Sequence, residues 1–128
     1  MSVDLTIEVR EKYIFVKAIG VFELEQAKQE VFKVIEVCHQ NQIARVLNDV
    51  REVRGSLDLM DRYEYVLFLV GGIKQHFSHL LDDIRLAYVG PRPVDDVYTP
   101  QVVQQSGVHI MSTDNMGDAT AWIEKDNL

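Results

Sequence analysis

Asp49, Arg51, Arg54, Arg62 and Arg92 are the side chains whose types suggest a binding chemistry, provided the fold gathers them at one loop edge. A guanidinium is a planar fork that pairs bidentately with carboxylate or phosphate, so such a cluster suits an acidic or phosphorylated ligand. The competing reading is local: Asp49 pairs with a nearby arginine and holds the loop. Ser56 offers a hydroxyl for phosphorylation or docking. Ser56 and Asp58 are equally good N-caps for a following helix, and Asp61 would suit the first turn of that helix.

Other chemistries find little support. The four histidines, His39, His76, His79 and His109, do not fall at the spacing of a four-ligand structural zinc site or a three-ligand catalytic one, so no metal is expected. Cys38 falls on an apolar helical stripe and reads as a buried, inert thiol. It cannot act with His39, because adjacent helix residues point in different directions. No Gly-x-Ser-x-Gly elbow is present, and Gly71-Gly72 is too brief to cradle phosphate. No catalytic set and no cofactor are expected.

The elements that must position these residues follow from periodicity. Leu5, Ile7 and Val9 alternate with Thr6, Glu8 and Arg10, which is the pattern of a half-buried strand. Glu11-Lys12 breaks the run, and a second strand over Tyr13 to Ile19 completes a hairpin. Leu24, Ala27, Val31, Ile35 and Cys38 recur at spacings of three and four, giving a helix that ends near Asn41. Ala44 to Val50 suits an interior strand. A helical pattern over 59–70 uses Leu59 or Met60, Tyr63, Val66, Leu67 and Val70, weakened by Gly71-Gly72. Ile84 to Gly90 is a fourth strand, stopped by Pro91 and Pro93. A helix over Val97 to Gln105, a short strand over Val108 to Met111 and a helix over Asp114 to Lys125 close the chain, with Lys125 in the last turn.

The order ββαβαβαβα predicts an α/β fold: a mixed, mostly parallel sheet of about five strands with an opening hairpin and covering helices. Ligands of such sheets bind outside the carboxyl ends of the strands. The loops there are Asp49–Asp58, Gly90–Asp96 and Met111–Asn115, so Asp49, Arg51, Gly90 and Arg92 are the crevice candidates.

A length of 128 residues with 47% hydrophobic and 26% charged side chains fits one globular domain, 1–128, and excludes a disordered chain. The net charge of −7 disfavours nucleic-acid phosphate and anionic membrane surfaces. The acid is concentrated late, with −1 over residues 1–56 and −6 over 57–128. The tyrosines and phenylalanines lie at core spacing, not interleaved with basic residues as a base-stacking platform requires. A single cysteine precludes an internal disulfide and suggests a reducing, cytoplasmic compartment. Met1-Ser2-Val3-Asp4 lacks a basic, then apolar leader, and the apolar run Val66 to Val70 is far shorter than the roughly 20 residues of a membrane span.

Several features then coincide in order and spacing: the opening hairpin; Asp49-Val50-Arg51-Glu52-Val53 after the third strand; Met60-Asp61-Arg62-Tyr63; Ile84-Arg85-Leu86-Ala87-Tyr88-Val89-Gly90-Pro91; and Asp114, Ala119 and Ala121-Trp122-Ile123. In these the chain resembles the STAS domain family of sulfate transporters and anti-sigma factor antagonists, in its SpoIIAA-like bacterial branch. The resemblance implies a non-enzymatic, protein-binding regulatory module. In the family a serine at the start of the second helix is phosphorylated by a partner kinase that is itself the anti-sigma factor. The family writes Asp-Ser-Ser-Gly-Leu there, whereas this chain reads Ser56-Leu57-Asp58-Leu59. Asp58 stands near the phosphoacceptor position, where it could imitate only a weak, permanent charge, and Ser56 lies slightly upstream. A protein partner, such as an anti-sigma factor-like kinase, would dock on Ser56, Leu57, Asp58, Met60, Arg62 and Tyr65. A lipid or nucleotide carrier using the crevice is the alternative, and a homodimer is a third possibility.

Overall fold

The computed structural model describes residues 3–21, 23–54, 84–90 and 109–126, together with Phe68, Gly71, Gly72 and Gln75. The opening alternation forms the expected hairpin: β1 (Val3–Val9) pairs antiparallel with β2 (Ile14–Val21) in unshifted register, Leu5 opposite Ala18 and Ile7 opposite Val16. β3 (Arg45–Arg54), β4 (Arg85–Val89) and β5 (His109–Thr113) follow, and β2 to β5 are mutually parallel. The sheet order is β1-β2-β3-β4-β5, so β3 is central and β1 and β5 are the edges among the described strands.

Helix α1 (Leu24–Asn41) leaves Leu24 only half-buried but buries Ala27, Val31, Ile35 and Cys38 of the stripe that the sequence spacing predicts, together with Val34. These pack on Ile14, Val16, Val46, Ile84 and Leu86 from one face of the sheet. Each fully buried aliphatic side chain of this kind contributes about 1.5–3 kcal/mol. The helix ends without glycine. Gln42 takes the left-handed conformation at φ 54°, its amide donates to the His39 carbonyl, and the Ile43 amide donates to Cys38. That is the reciprocal closure of a Schellman turn, reinforced by the Gln42 Nε2 donating to His39 O at 2.7 Å. Gly72 is helical and lies against α1: a Cβ there would meet Ile35 Cδ1 at 2.7 Å, whereas one on Gly71 would meet nothing within 4 Å.

Helix α2 (Met116–Glu124) covers the opposite face through Ala119 and Ile123, which meet Leu47, Ala87 and Val89. Asn115 caps it, with Oδ1 accepting from the Asp118 amide at 2.9 Å, and Asp118 lies in the first turn where the macrodipole favours an acid. Lys125 lies just beyond the last turn instead of within it. The basic end comes from the sheet. Arg45 Nη1 donates to the carbonyls of Ile123 and Lys125 at 3.2 and 3.0 Å, and Arg85 donates to those of Trp122, Lys125 and Asp126. Arg45 and Arg85 are partners in the β3–β4 register, so two like charges sit side by side. The negative end of α2, with its unpaired carbonyls, makes that arrangement favourable.

Some boundaries differ from expectation. Val9, expected on the half-buried face, is 53% exposed, beyond the cluster that Leu5 and Ile7 join. β3 continues four residues past Val50, because Ile19, Gly20 and Val21 of β2 supply partners for Glu52, Val53 and Arg54. Asp49–Arg54 is therefore strand, and the Asp49–Asp58 loop can begin only after Arg54. β5 likewise absorbs Met111 to Thr113, shortening the loop before α2. The 59–70 helix is met only at Phe68, and the Val97 to Gln105 helix lies outside the described residues. Among the described residues, no helix is long and apolar enough to cross a membrane.

Candidate functional site at the carboxyl end of the central strand

The site begins with a misfit in pairing. Lys17 of β2 is opposite Asp49 and Ile19 is opposite Glu52, so β3 spends Val50 and Arg51 where β2 spends only Ala18. An extra residue of this kind is a β-bulge, which bends the strand and re-aims side chains. Here Arg51 is aimed back at Asp49. Its Nε donates to Oδ1 and its Nη2 to Oδ2, both at 2.9 Å, and its backbone amide also donates to Oδ1 at 3.2 Å.

Asp49 is only 3% exposed and Arg51 is an exposed residue, so a buried carboxylate is held from above by a partly solvated fork. Hydrogen bonding from the Arg51 side chain holds the Asp49 carboxyl below its usual range, against the opposing effect of burial. The Arg51 amide, the Arg51 charge and the Lys17 charge act in the same direction. Lys17 in turn pairs with Glu52 at 3.0 Å. The result is a small alternating network at the carboxyl end of the central strand.

The crevice candidates are partly brought together. Asp49 is the register partner of Val89, so Gly90 directly follows the residue beside it, and Arg51 is bound to Asp49. Two of these groups are already engaged within the fold. The Arg51 fork is occupied by Asp49, and the Gly90 amide donates to the Thr113 carbonyl at 3.0 Å. The local reading of Asp49, an arginine-paired residue that holds its segment, is the one that the geometry bears out. Arg54 closes β3 opposite Val21. Arg92 and the docking candidates Ser56, Leu57, Asp58, Met60, Arg62 and Tyr65 lie outside the described residues.

Lys17 and Glu52 were not among the expected site residues. Their signal in the sequence was faint: a lysine inside the otherwise apolar run of β2, and a glutamate in a segment read as loop. Cys38 behaves as predicted, with burial pushing its thiol up to about 12, so no reactive thiolate forms near neutral pH. Among the described residues, no group of three His, Cys, Asp or Glu side chains could hold a metal ion. His76 and His79 lie outside that set.

No protein-family model matches the chain, and no curated protein matches it in sequence. Solved structures do resemble it. A protein of the DUF3478 family with a SpoIIAA-like fold, from Shewanella loihica PV-4, superposes with a TM-score of 0.56 at 19% identity, covering 95% of this chain and 94% of the other. An anti-sigma factor antagonist from Mycobacterium paratuberculosis superposes with a TM-score of 0.50 at 15% identity, covering 97% and 96%. At such identities the likeness speaks for architecture alone. The mixed five-stranded sheet, its order and its near-complete coverage by these neighbours establish that the chain has a SpoIIAA-like, STAS-like α/β fold.

Proposed function

We propose that this chain is a single-domain, non-enzymatic cytoplasmic regulatory module that docks a protein partner through the segment following β3 and the 59–70 helix. The observation that carries the reading is the Asp49–Arg51 brace. It anchors the bulged part of the central strand, which in sequence lies a few residues ahead of Ser56, Leu57 and Asp58. Preorganisation of this kind lowers the ordering cost of binding. Likeness over nearly the full chain to an anti-sigma factor antagonist supports the same class of role.

In this reading Leu57, Met60 and Tyr65 supply apolar and aromatic contact, while Arg62 and the surrounding acid set orientation and encounter rate. Ser56 is the position where phosphate would add about −1.5 to −2 charge beside the docking surface. An anti-sigma factor-like kinase is the partner class proposed.

Affinity capture from bacterial lysate, with mass spectrometry of partners and bait, tests this. The expected result is a kinase-like or sigma-regulating protein whose recovery falls with Ser56→Ala and Arg62→Ala, while both variants keep the wild-type melting temperature. Undiminished recovery with both variants, or a bait carrying only a co-purified small molecule, contradicts it.

A further inference from the structure

The hairpin leaves one edge of the sheet open in a particular way. The Arg10 amide donates to the Tyr13 carbonyl at 2.9 Å, which makes Arg10 and Tyr13 a hydrogen-bonded pair at the hairpin end. Antiparallel strands alternate hydrogen-bonded and non-hydrogen-bonded pairs, and the β1–β2 register carries no shift. The backbone groups of Asp4, Thr6 and Glu8 therefore point at β2, and those of Leu5, Ile7 and Val9 point outward. Among the described strands none pairs with that outer edge. β1 also carries no proline, although such edges are commonly blunted by one.

We propose that two copies of this chain associate through the outer edge of β1, antiparallel about a two-fold axis at Ile7, to make one sheet continuous across both copies. Charge and strand length together select this register, because centring on Val9 sets Glu8 against Arg10 but runs past the end of β1, and centring on Leu5 gains no ion pair. With Ile7 opposite Ile7, Asp4 of one copy lies opposite Arg10 of the other, Thr6 opposite Glu8, and Leu5 opposite Val9. Centring on Thr6 instead sets Asp4 against Glu8, and centring on Glu8 sets that carboxylate against itself, both unfavourable. Asp4 and Arg10 are both exposed; Arg10 pairs with Glu8 of its own strand at 2.7 Å, a solvent-exposed contact of small worth that association exchanges for Asp4 of the second copy. Val9, at 53% exposure an outlier on its face, gains Leu5 of the second copy as a neighbour. Isologous pairing gives every outward amide and carbonyl of Leu5, Ile7 and Val9 a partner, and the two-fold axis repeats each bond in the second copy. The inference is independent of the docking reading, which rests on the carboxyl end of β3 and uses no group of the β1 edge.

Sedimentation velocity of the full chain over a dilution series tests it, with residue-level amide exchange on the same samples. The expected mass is twice 14.7 kDa at high concentration, with the Leu5, Ile7 and Val9 amides protected only there. Asp4→Arg and Arg10→Asp should each raise the dimer dissociation constant about tenfold or more, and the combined charge swap should restore it. Ile7→Pro, which removes an amide that the hairpin does not use, should give a folded monomer. A monomer at every concentration overturns the proposal, as does a dimer that is indifferent to both single charge reversals or whose outward β1 amides exchange freely.

Discussion

Two arginine sites stand at opposite ends of the same central strands, and they treat charge differently. At the amino ends, Arg85 is 2% exposed and, with Arg45, donates to the last carbonyls of α2, so buried positive charge is balanced by partial charges of the backbone. At the carboxyl end, Arg51 is exposed and faces a full negative charge on the buried Asp49. The first arrangement locks a helix to a sheet and has no use for solvent access. The second fixes a strand end while leaving a charged surface beside the segment proposed to dock a partner. Burial of the cation, more than its presence, separates a structural clamp from a candidate site.

Breaking the clamp should have the largest effect. Arg85→Met removes a buried cation's charge-assisted bonds to three part-buried carbonyls, so a loss of about 2–3 kcal/mol is expected in urea unfolding. Arg45→Met removes partly exposed bonds to two of the same segment's carbonyls and should cost about 1 kcal/mol. A packing control sits on the other face. Gly72→Ala drives a methyl into the buried Ile35 side chain, offset in part by alanine's better helix propensity, and should cost about 1 kcal/mol net, while Gly71→Ala meets open space and should stabilise by about 0.5–1 kcal/mol.

The brace should respond to pH in a way that the clamp does not. The folded carboxyl of Asp49 is held below its unfolded value, so it contributes stability that is fully present above about pH 4 and fades as pH falls through the folded value. Asp49→Asn should therefore cost about 1 kcal/mol at pH 7, modest because the partner guanidinium is solvated, and the difference from wild type should shrink in acid. The Arg85→Met difference should persist over the same range, since neither an arginine nor a carbonyl titrates there. Chemical unfolding of both variants at neutral and acid pH reads the contrast directly.

How far the sequence revealed these regions follows from what each depends on. Helix α1 was legible because its buried stripe is periodic within the segment itself, with Ala27, Val31, Ile35 and Cys38 at helical spacing. The hairpin was legible for the same reason. The last residues of β3 were not, because Glu52 and Arg54 are polar and become strand only through pairing with Ile19 and Val21, a long-range cause that no local pattern carries. The bulge that aims Arg51 at Asp49 is equally non-local, although a pairing of Asp49 with a nearby arginine was one of the two readings. The clamp was missed altogether. Its trace was a basic residue at the first position of two parallel strands, and it was hidden by reading Lys125 into the last turn of the closing helix.

The central claim is that partners meet this protein at the carboxyl end of β3 and not at the clamped end. Site-specific photo-crosslinking in bacterial lysate tests it most directly, with a photoreactive residue in place of Leu57 in one sample and Lys125 in the other. The account predicts a discrete protein adduct at position 57 that is absent at 125. Adducts at 125 alone, or none at 57, would contradict it.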